Sequence, residues 1–242
     1  MILKKEYWLV LLAYIFMQLS SFIGIPLVTY IGTLSGLTLP EMEILAVPYW
    51  LVISFAVTLV LVVYILRHEF NERNQLNSRL SVIWAIVGVF MAFFAQTIAA
   101  KVEAMLGVET GSENTQQIIR IIESFPIVIM VSSIVGPILE EIIFRKIIFG
   151  AFFKRMNFFF SALLSSIIFA LAHFEPEHIL LYSAMGFTFA FLYVKTNRII
   201  VPIFAHVVMN TFVVIIQIIY KEEIEKILQE TENIQSFIGG LL

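Results

Sequence analysis

Long apolar runs without charged residues alternate along this chain with short polar segments. About 20 apolar residues span the hydrocarbon core of a bilayer, so each long run is a candidate transmembrane segment. The runs are rich in Phe, Leu, Ile and Val without strict alternation, which predicts helices rather than strands of a β-barrel. The sequence therefore predicts an all-α, polytopic transmembrane helical bundle with about seven, or eight, spanning helices. The seven predicted spans are residues 7–31, 44–66, 80–100, 125–149, 158–173, 179–194 and 199–220.

Polar segments divide the chain into three predicted parts. Residues 1–119 form N-terminal transmembrane helices with a polar cytoplasmic loop at 67–79 and an acidic, flexible outer loop at 101–117. Residues 120–220 form a transmembrane core that contains the candidate chemistry. Residues 221–242 form a polar, amphipathic C-terminal tail. Its apolar residues are close to helical spacing, which fits either a helix along the membrane interface or a solvated tail with a helical bias.

Composition narrows the class of protein further. Of 242 residues, 60% are hydrophobic and 14% are charged, and the mean hydropathy is +0.95. Too few polar residues exist to cover the surface of a soluble domain. A net charge of −3 offers no basic field for nucleic acid. The chain has no cysteine, which excludes disulfides, cysteine nucleophiles, Fe–S clusters and thiolate zinc sites.

The distribution of Lys and Arg predicts the orientation in the membrane, because cytoplasmic loops carry an excess of these residues. With seven spans and a cytoplasmic N-terminus, one face collects eleven basic residues and the other collects four. We therefore expect the N-terminus inside and the C-terminus outside, although an eighth crossing or a re-entrant segment would move the tail. The inner set is Lys4, Lys5, Arg67, Arg73, Arg79, Arg145, Lys146, Lys154, Arg155, Lys195 and Arg198; the outer set is Lys101, Arg120, Lys221 and Lys226.

The first polar cluster within an apolar run is Glu140, Glu141 and Arg145. Ionisable groups inside a membrane are costly and are candidates for function. Glu141 and Arg145 are four residues apart, so one helix face can hold them as an ion pair. Glu140 is turned about 100° away and is free to face a cavity, where a carboxylate shielded from water suits a general base. The alternative is that these charges mark the headgroup end of a helix.

Two further clusters are Phe169 with His173, and His206 with Asn210. Each pair is four residues apart and shares a helix face. Separately, His173 fits an interfacial residue, and His206 with Asn210 fits hydrogen bonding between helices. At about 1.5 Å per residue, Glu140 and His173 both lie roughly 22–25 Å from the turn between their helices. The clusters can therefore meet in one layer inside the bundle, which favours a site.

Glu-Glu-x-x-x-Arg, then Phe-x-x-x-His, then His-x-x-x-Asn on successive apolar segments resembles the CPBP family. This is the CAAX protease and bacteriocin-processing family of intramembrane endopeptidases, also called the type II CAAX prenyl protease or Abi family. The motifs are intact and in order, and the resemblance covers about residues 120–220. The residues that match are Glu140, Glu141, Arg145, Phe169, His173, His206 and Asn210.

The resemblance implies roles for these residues. Glu140 would activate water as a general base, and His173 would hold or share that water. His206 and Asn210 would donate hydrogen bonds to the developing oxyanion, while Glu141 and Arg145, with Phe169, would support the site. The family also bears the label metalloprotease, and Glu140, His173 and His206 would suit zinc. The resemblance favours a metal-free glutamate mechanism without a cofactor, and the His-Glu-x-x-His spacing of soluble zinc proteases is absent from this chain.

Function stays open at the level of substrate. The resemblance implies cleavage of a membrane-associated peptide or protein precursor, such as a bacteriocin, a pheromone or a CAAX-like substrate, in a prokaryotic cytoplasmic membrane. The alternative is a non-catalytic scaffold, regulator or immunity protein with the same fold. A transporter with a buried Glu/His relay also fits intramembrane ionisable residues, but the sequence shows no inverted repeat.

Overall fold

The computed structural model describes residues 3–70, 78–109, 111–221, 223 and 226. This part of the chain is helical and contains no strand. The predicted C-terminal amphipathic tail lies almost wholly outside the described residues, as does most of the predicted polar loop at 67–79. The all-α fold class is confirmed.

The first apolar run, predicted as one span, forms two helices: α1 (Lys5–Leu19) and α2 (Ser21–Leu34). Their axes differ by 52°. The bend lies at Ser20, whose hydroxyl donates to the Met17 carbonyl at 2.6 Å. The indole of Trp50 donates to the same hydroxyl oxygen at 3.1 Å, so the next helix holds the bend in place. A serine hydroxyl that bonds back to the preceding turn is a known local cause of helix bending.

Two long helices follow: α3 (Leu39–Phe70) and α4 (Ser78–Met105). The predicted outer loop at 101–117 is partly wrong, because its first residues extend α4 and its last residues begin a further helix. This helix, α5 (Glu113–Ser124), is amphipathic and buries Ile119 and Ile122 against Val128 and Val214. The sequence did not predict this helix, because it is short and its charged residues interrupt any apolar run.

Residues 128–153 form a continuous helical segment, α6, that mixes α and π turns. Its pieces are Val128–Met130 (α), Val131–Val135 (π), Gly136–Glu140 (α), Glu141–Phe149 (π) and Gly150–Phe153 (α). π turns are rare and occur often at functional sites, because the extra residue shifts the register of the side chains. Here one π turn begins immediately after Glu140.

Three helices complete the core: α7 (Phe158–Leu171), α8 (Ile179–Thr196) and α9 (Ile200–Ile219). A 3-10 turn, Pro176–His178, leads into α8. Helices α7 and α8 approach closely at Gly186, where a Cβ atom would lie 2.8 Å from Ser166 Oγ. Small residues at such a crossing let the backbones pack tightly.

Within the described residues, α3, α4, α8 and α9 are long and apolar enough to cross a membrane, and the bent α1–α2 pair is a fifth candidate if it forms one span rather than a re-entrant loop. The predicted count of seven or eight spans is not confirmed. Helix α7 has 14 residues, and α6 is interrupted by π turns. Large apolar side chains such as Phe16, Phe22, Phe90 and Phe94 are at least 70% exposed. So much exposed apolar surface is typical of a lipid-facing bundle, and the protein is an integral membrane protein.

Candidate functional site

The α6 helix contributes an ion pair that is shielded from solvent. Arg145 Nε lies 3.3 Å from Glu141 Oε2, and the two residues are 1% and 0% exposed. The sequence predicted this pair from its spacing, and the structure confirms it. Neither Arg145 Nη1 nor Arg145 Nη2 has a hydrogen-bond partner among the described residues. Glu141 is therefore the nearest charge partner of the guanidinium.

Glu141 also binds across the bundle to α9. His206 Nδ1 lies 2.9 Å from Glu141 Oε1, so one carboxylate contacts both a guanidinium and an imidazole. An ionised carboxylate can only accept hydrogen bonds, so Nδ1 carries the proton in this contact. His206 Nε2 is then directed away from Glu141. The spacing of the motif predicted a partner for Glu141 on its own helix but did not predict this one.

Glu140 lies beside the opposite nitrogen of the same imidazole. Its Oε2 is 3.7 Å from His206 Nε2, and 22% of its side chain is exposed. This separation is too long for a direct hydrogen bond, and a bridging water could span it. The two consecutive glutamates therefore contact the two nitrogens of His206.

Aromatic rings enclose these charged groups. The Arg145 guanidinium carbon lies 4.2 Å from the ring centroid of Phe169 and 5.3 Å from that of Phe189. Phe189 also stacks on His206, with ring centroids 4.7 Å apart. A desolvated cation–π contact contributes about 2 kcal/mol. These rings stabilise the guanidinium and fix the plane of the imidazole.

His173 lies just beyond the end of α7. Its Nδ1 is 2.8 Å from the Phe169 carbonyl oxygen, and its ring stacks on Tyr182 at a centroid distance of 4.0 Å. The centroid of the Phe169 ring lies 4.6 Å from that of the His173 ring and 6.2 Å from that of the His206 ring. Phe169 thus lies against both histidines; its spacing predicted a shared helix face with His173 but not the contact with His206.

A cavity of about 280 Å³ is lined by four of the predicted residues: Phe169, His173, His206 and Asn210. The Asn210 amide donates to the Ser132 carbonyl at 3.4 Å. His206 and Asn210 reach the cavity from one face of α9, as their spacing predicted. Glu140 is not among the residues that line this cavity, although its carboxylate lies next to the His206 ring. That Glu140 itself faces a cavity stays a prediction.

The fit of a metal ion can be tested on the donor set. His173 and His206 each have Nδ1 engaged with an oxygen, as metal-binding histidines often do. However, the described residues contain no group of three His, Asp or Glu donors that could hold a metal ion. Glu140, His173 and His206 therefore do not form a zinc-binding group among the described residues.

A second polar network lies at the rim of the cavity, and the sequence did not predict it. His178 Nδ1 is 3.0 Å from Glu103 Oε2, and His178 Nε2 is 3.0 Å from the Gly111 carbonyl oxygen. The backbone N–H of Leu181 donates to Glu103 Oε1 at 2.8 Å. These bonds tie the end of α4 and the segment before α5 to the start of α8.

Glu175 is the second carboxylate of this network. It accepts hydrogen bonds from the Ser112 hydroxyl at 2.8 Å, from the Asn114 backbone N–H at 2.9 Å and from the Tyr182 hydroxyl. Burial acts to raise the pKa of Glu175, but these hydrogen bonds and the nearby His178 outweigh it, and the pKa lies below its ordinary value. The sequence signal for this network is weak, since Glu175 and His178 lie in a short turn and their partners other than Tyr182 are more than 60 residues away.

Comparisons with known proteins agree with the motifs. A family model described as "Type II CAAX prenyl endopeptidase Rce1-like" matches residues 122–212. A Bacillus subtilis (strain 168) protein with the name "Putative membrane peptidase YdiL" is 51% identical over 245 residues, covering 99% of each chain. The membrane-embedded CAAX protease MroQ of Staphylococcus aureus (strain USA300) is 37% identical over 158 residues, covering 62% of this chain and 64% of that protein. No solved structure matches the chain at a significant level.

Proposed function

The chain belongs to the type II CAAX prenyl endopeptidase Rce1-like family of membrane peptidases, and on that premise we propose that it hydrolyses a peptide bond within a membrane-associated peptide or protein precursor. The observation that carries this proposal is the placement of Glu140 and Glu141 at the two nitrogens of His206, next to the cavity that His173 and Asn210 also line. Residues from three separate segments of the chain contribute to it.

Glu140 is the general base in this proposal. A water molecule between the Glu140 carboxylate and the cavity would give its proton to Glu140, and the resulting hydroxide would attack the carbonyl carbon of the scissile bond. His173 is the second group that holds this water, through the ring nitrogen that does not contact Phe169. Glu140 then returns the proton to the leaving amine, so that one water is consumed and a carboxylate and an amine are formed.

His206 and Asn210 stabilise the oxyanion that develops on the carbonyl oxygen. The Asn210 amide is one donor, and His206 Nε2 is the other. Donation from Nε2 to the oxyanion while Nδ1 donates to Glu141 requires a proton on each ring nitrogen. Fixed donors of this kind typically contribute about 10²–10³-fold to the rate each. Glu141 and Arg145 support this arrangement without contacting substrate.

The proposed location is a prokaryotic cytoplasmic membrane with the N-terminus inside. The partners are a peptide or protein substrate and the lipid bilayer, with no nucleic acid. The proposed substrate is a precursor such as a bacteriocin, a pheromone or a CAAX-like protein. Analysis of the peptides in cells can distinguish these three classes.

The test compares peptides and membrane proteins of cells that produce wild type, Glu140→Gln or Glu123→Gln at matched levels. Glu123 is an exposed glutamate paired with Lys221, outside the cavity lining, and serves as the matched control. We expect one precursor to accumulate uncut in Glu140→Gln and to be processed in the other two strains. If all three strains have the same peptides while deletion of the protein has a phenotype, the chain is a scaffold or regulator instead.

A further inference from the structure

The cavity is built at one end of the helical bundle. Its outer part is lined by the end of α4, the segment that leads into α5, and the turn between α7 and α8. Glu109, an exposed residue, lies at this rim together with Ser112. A shallower groove of about 370 Å³ continues across α4 and shares Gln96, Ala100 and Leu181 with the cavity. The cavity and the groove therefore both lie towards this end of the bundle.

The opposite end of the bundle is defined by a different set of contacts. Lys4 Nζ lies 2.8 Å from Glu69 Oε1, and Lys146 Nζ lies 3.0 Å from Glu69 Oε2, which joins the start of α1, the end of α3 and the second half of α6. Lys195, near the end of α8, lies over Trp84 near the start of α4. The turns between α6 and α7 and between α8 and α9 belong to this end, because α7 and α8 run between the two ends.

Charge is divided unequally between these ends. The end away from the cavity carries these basic residues: Lys4, Lys5, Arg67, Arg79, Lys146, Lys154, Arg155, Lys195 and Arg198. The cavity end carries these basic residues: Lys101, Arg120, Lys221 and Lys226. The cavity end also carries these acidic residues: Glu41, Glu43, Glu103, Glu109, Glu113, Glu123, Glu175 and Glu177. Short loops rich in Lys and Arg stay in the cytoplasm, so the cavity end is the translocated one.

We infer that the cavity opens on the extracytoplasmic side of the membrane, and that the enzyme cleaves peptide segments presented there. This inference rests on the proposed function. The substrate class is then a precursor whose scissile segment has been exported or lies at the outer end of a membrane anchor. A peptide segment that stays in the cytoplasm would face the basic end, away from the cavity rim and its groove.

The absence of cysteine from the natural sequence makes this inference directly testable. Two single-cysteine variants, Glu109→Cys and Glu6→Cys, each replace one exposed glutamate, the first at the cavity rim and the second at the start of α1. Intact cells that produce each variant are treated with a membrane-impermeant maleimide, before and after permeabilisation. The cysteine-free parent measures background labelling.

We expect Glu109→Cys to react in intact cells and Glu6→Cys to react only after permeabilisation. Labelling of Glu6→Cys in intact cells, or protection of Glu109→Cys until permeabilisation, would overturn the inference. Labelling requires no catalytic activity, so this experiment tests only the side on which the cavity opens. The Glu140→Gln comparison tests the peptidase proposal separately.

Discussion

Glu141 connects two helices through a single carboxylate, and its neutralisation by Glu141→Gln is the most informative perturbation of stability. The glutamine keeps an oxygen that can accept the hydrogen bond from His206 Nδ1, but it removes the negative charge beside Arg145. Because both residues are buried and the Arg145 Nη atoms have no hydrogen-bond partner among the described residues, the guanidinium would lose its nearest charge partner.

The magnitude follows from this geometry. Removing one partner of a buried ion pair costs about 3–5 kcal/mol, and we expect the lower end, about 3 kcal/mol, because the retained oxygen preserves the bond to His206. The control is Glu123→Gln, which neutralises a pair with Lys221 whose side chains are 42% and 39% exposed. An exposed pair of this kind contributes about 0–1 kcal/mol.

The free energy of unfolding can be measured by titrating the purified proteins with a denaturing detergent in mixed micelles. Glu141→Gln should be less stable than Glu123→Gln by about 2–3 kcal/mol. A second variant, Glu141→Leu with Arg145→Leu, should be more stable than Glu141→Leu alone, because it also removes the uncompensated charge. Equal stability of Glu141→Gln and Glu123→Gln would refute the assignment of Glu141 as the partner of Arg145.

Three further predictions concern the oxyanion donor, the helix crossing and the cavity rim. Asn210→Ala should lower kcat for the cleaved precursor about 10²–10³-fold with little change in KM; a changed KM alone would contradict its role. Gly186→Ala should lower the free energy of unfolding by about 1–3 kcal/mol, because the new Cβ would lie 2.8 Å from Ser166 Oγ. Gly150→Ala should leave the free energy of unfolding unchanged, because the nearest atom to its new Cβ is 3.7 Å away. Equal losses of stability in the two variants would contradict the close packing of α7 and α8 at Gly186. The lowered pKa of Glu175 means that its stabilising effect is present above its ordinary pKa of 4.5 and is lost as the pH falls through the folded-state value. Thermal unfolding of wild type and Glu175→Gln should therefore differ at pH 7 and converge in acid, and a difference independent of pH would contradict this.

Much of the fold could be predicted from the sequence, because lipid-facing helices must be apolar over long runs. Each predicted apolar run coincides with described helix, but run length alone does not show whether a helix crosses the membrane. The bend at Ser20 depends on Trp50 in the next helix. The α5 helix buries only one face, so its mean composition resembles that of a loop. The π turns of α6 leave no signature in hydropathy.

The site could be predicted in part, because the regular spacing of a helix determines which residues of that helix share a face. The spacing of four residues placed Glu141 with Arg145, and His206 with Asn210, because these pairs lie within single helices. Spacing could not reveal that Glu141 bonds to His206, since tertiary packing sets the distance between residues 65 positions apart. The network at the cavity rim was missed for this reason as well.

Hydrolysis by an activated water is the central claim, and isotope incorporation tests it most directly. Purified wild-type protein in proteoliposomes is incubated with the precursor that accumulates in Glu140→Gln cells, in water enriched in ¹⁸O, and the products are analysed by mass spectrometry. The account predicts one ¹⁸O atom in the new C-terminal carboxylate with wild type and with Glu123→Gln, and no cleavage with Glu140→Gln. Cleavage by Glu140→Gln at the wild-type rate, or product without ¹⁸O, would contradict it.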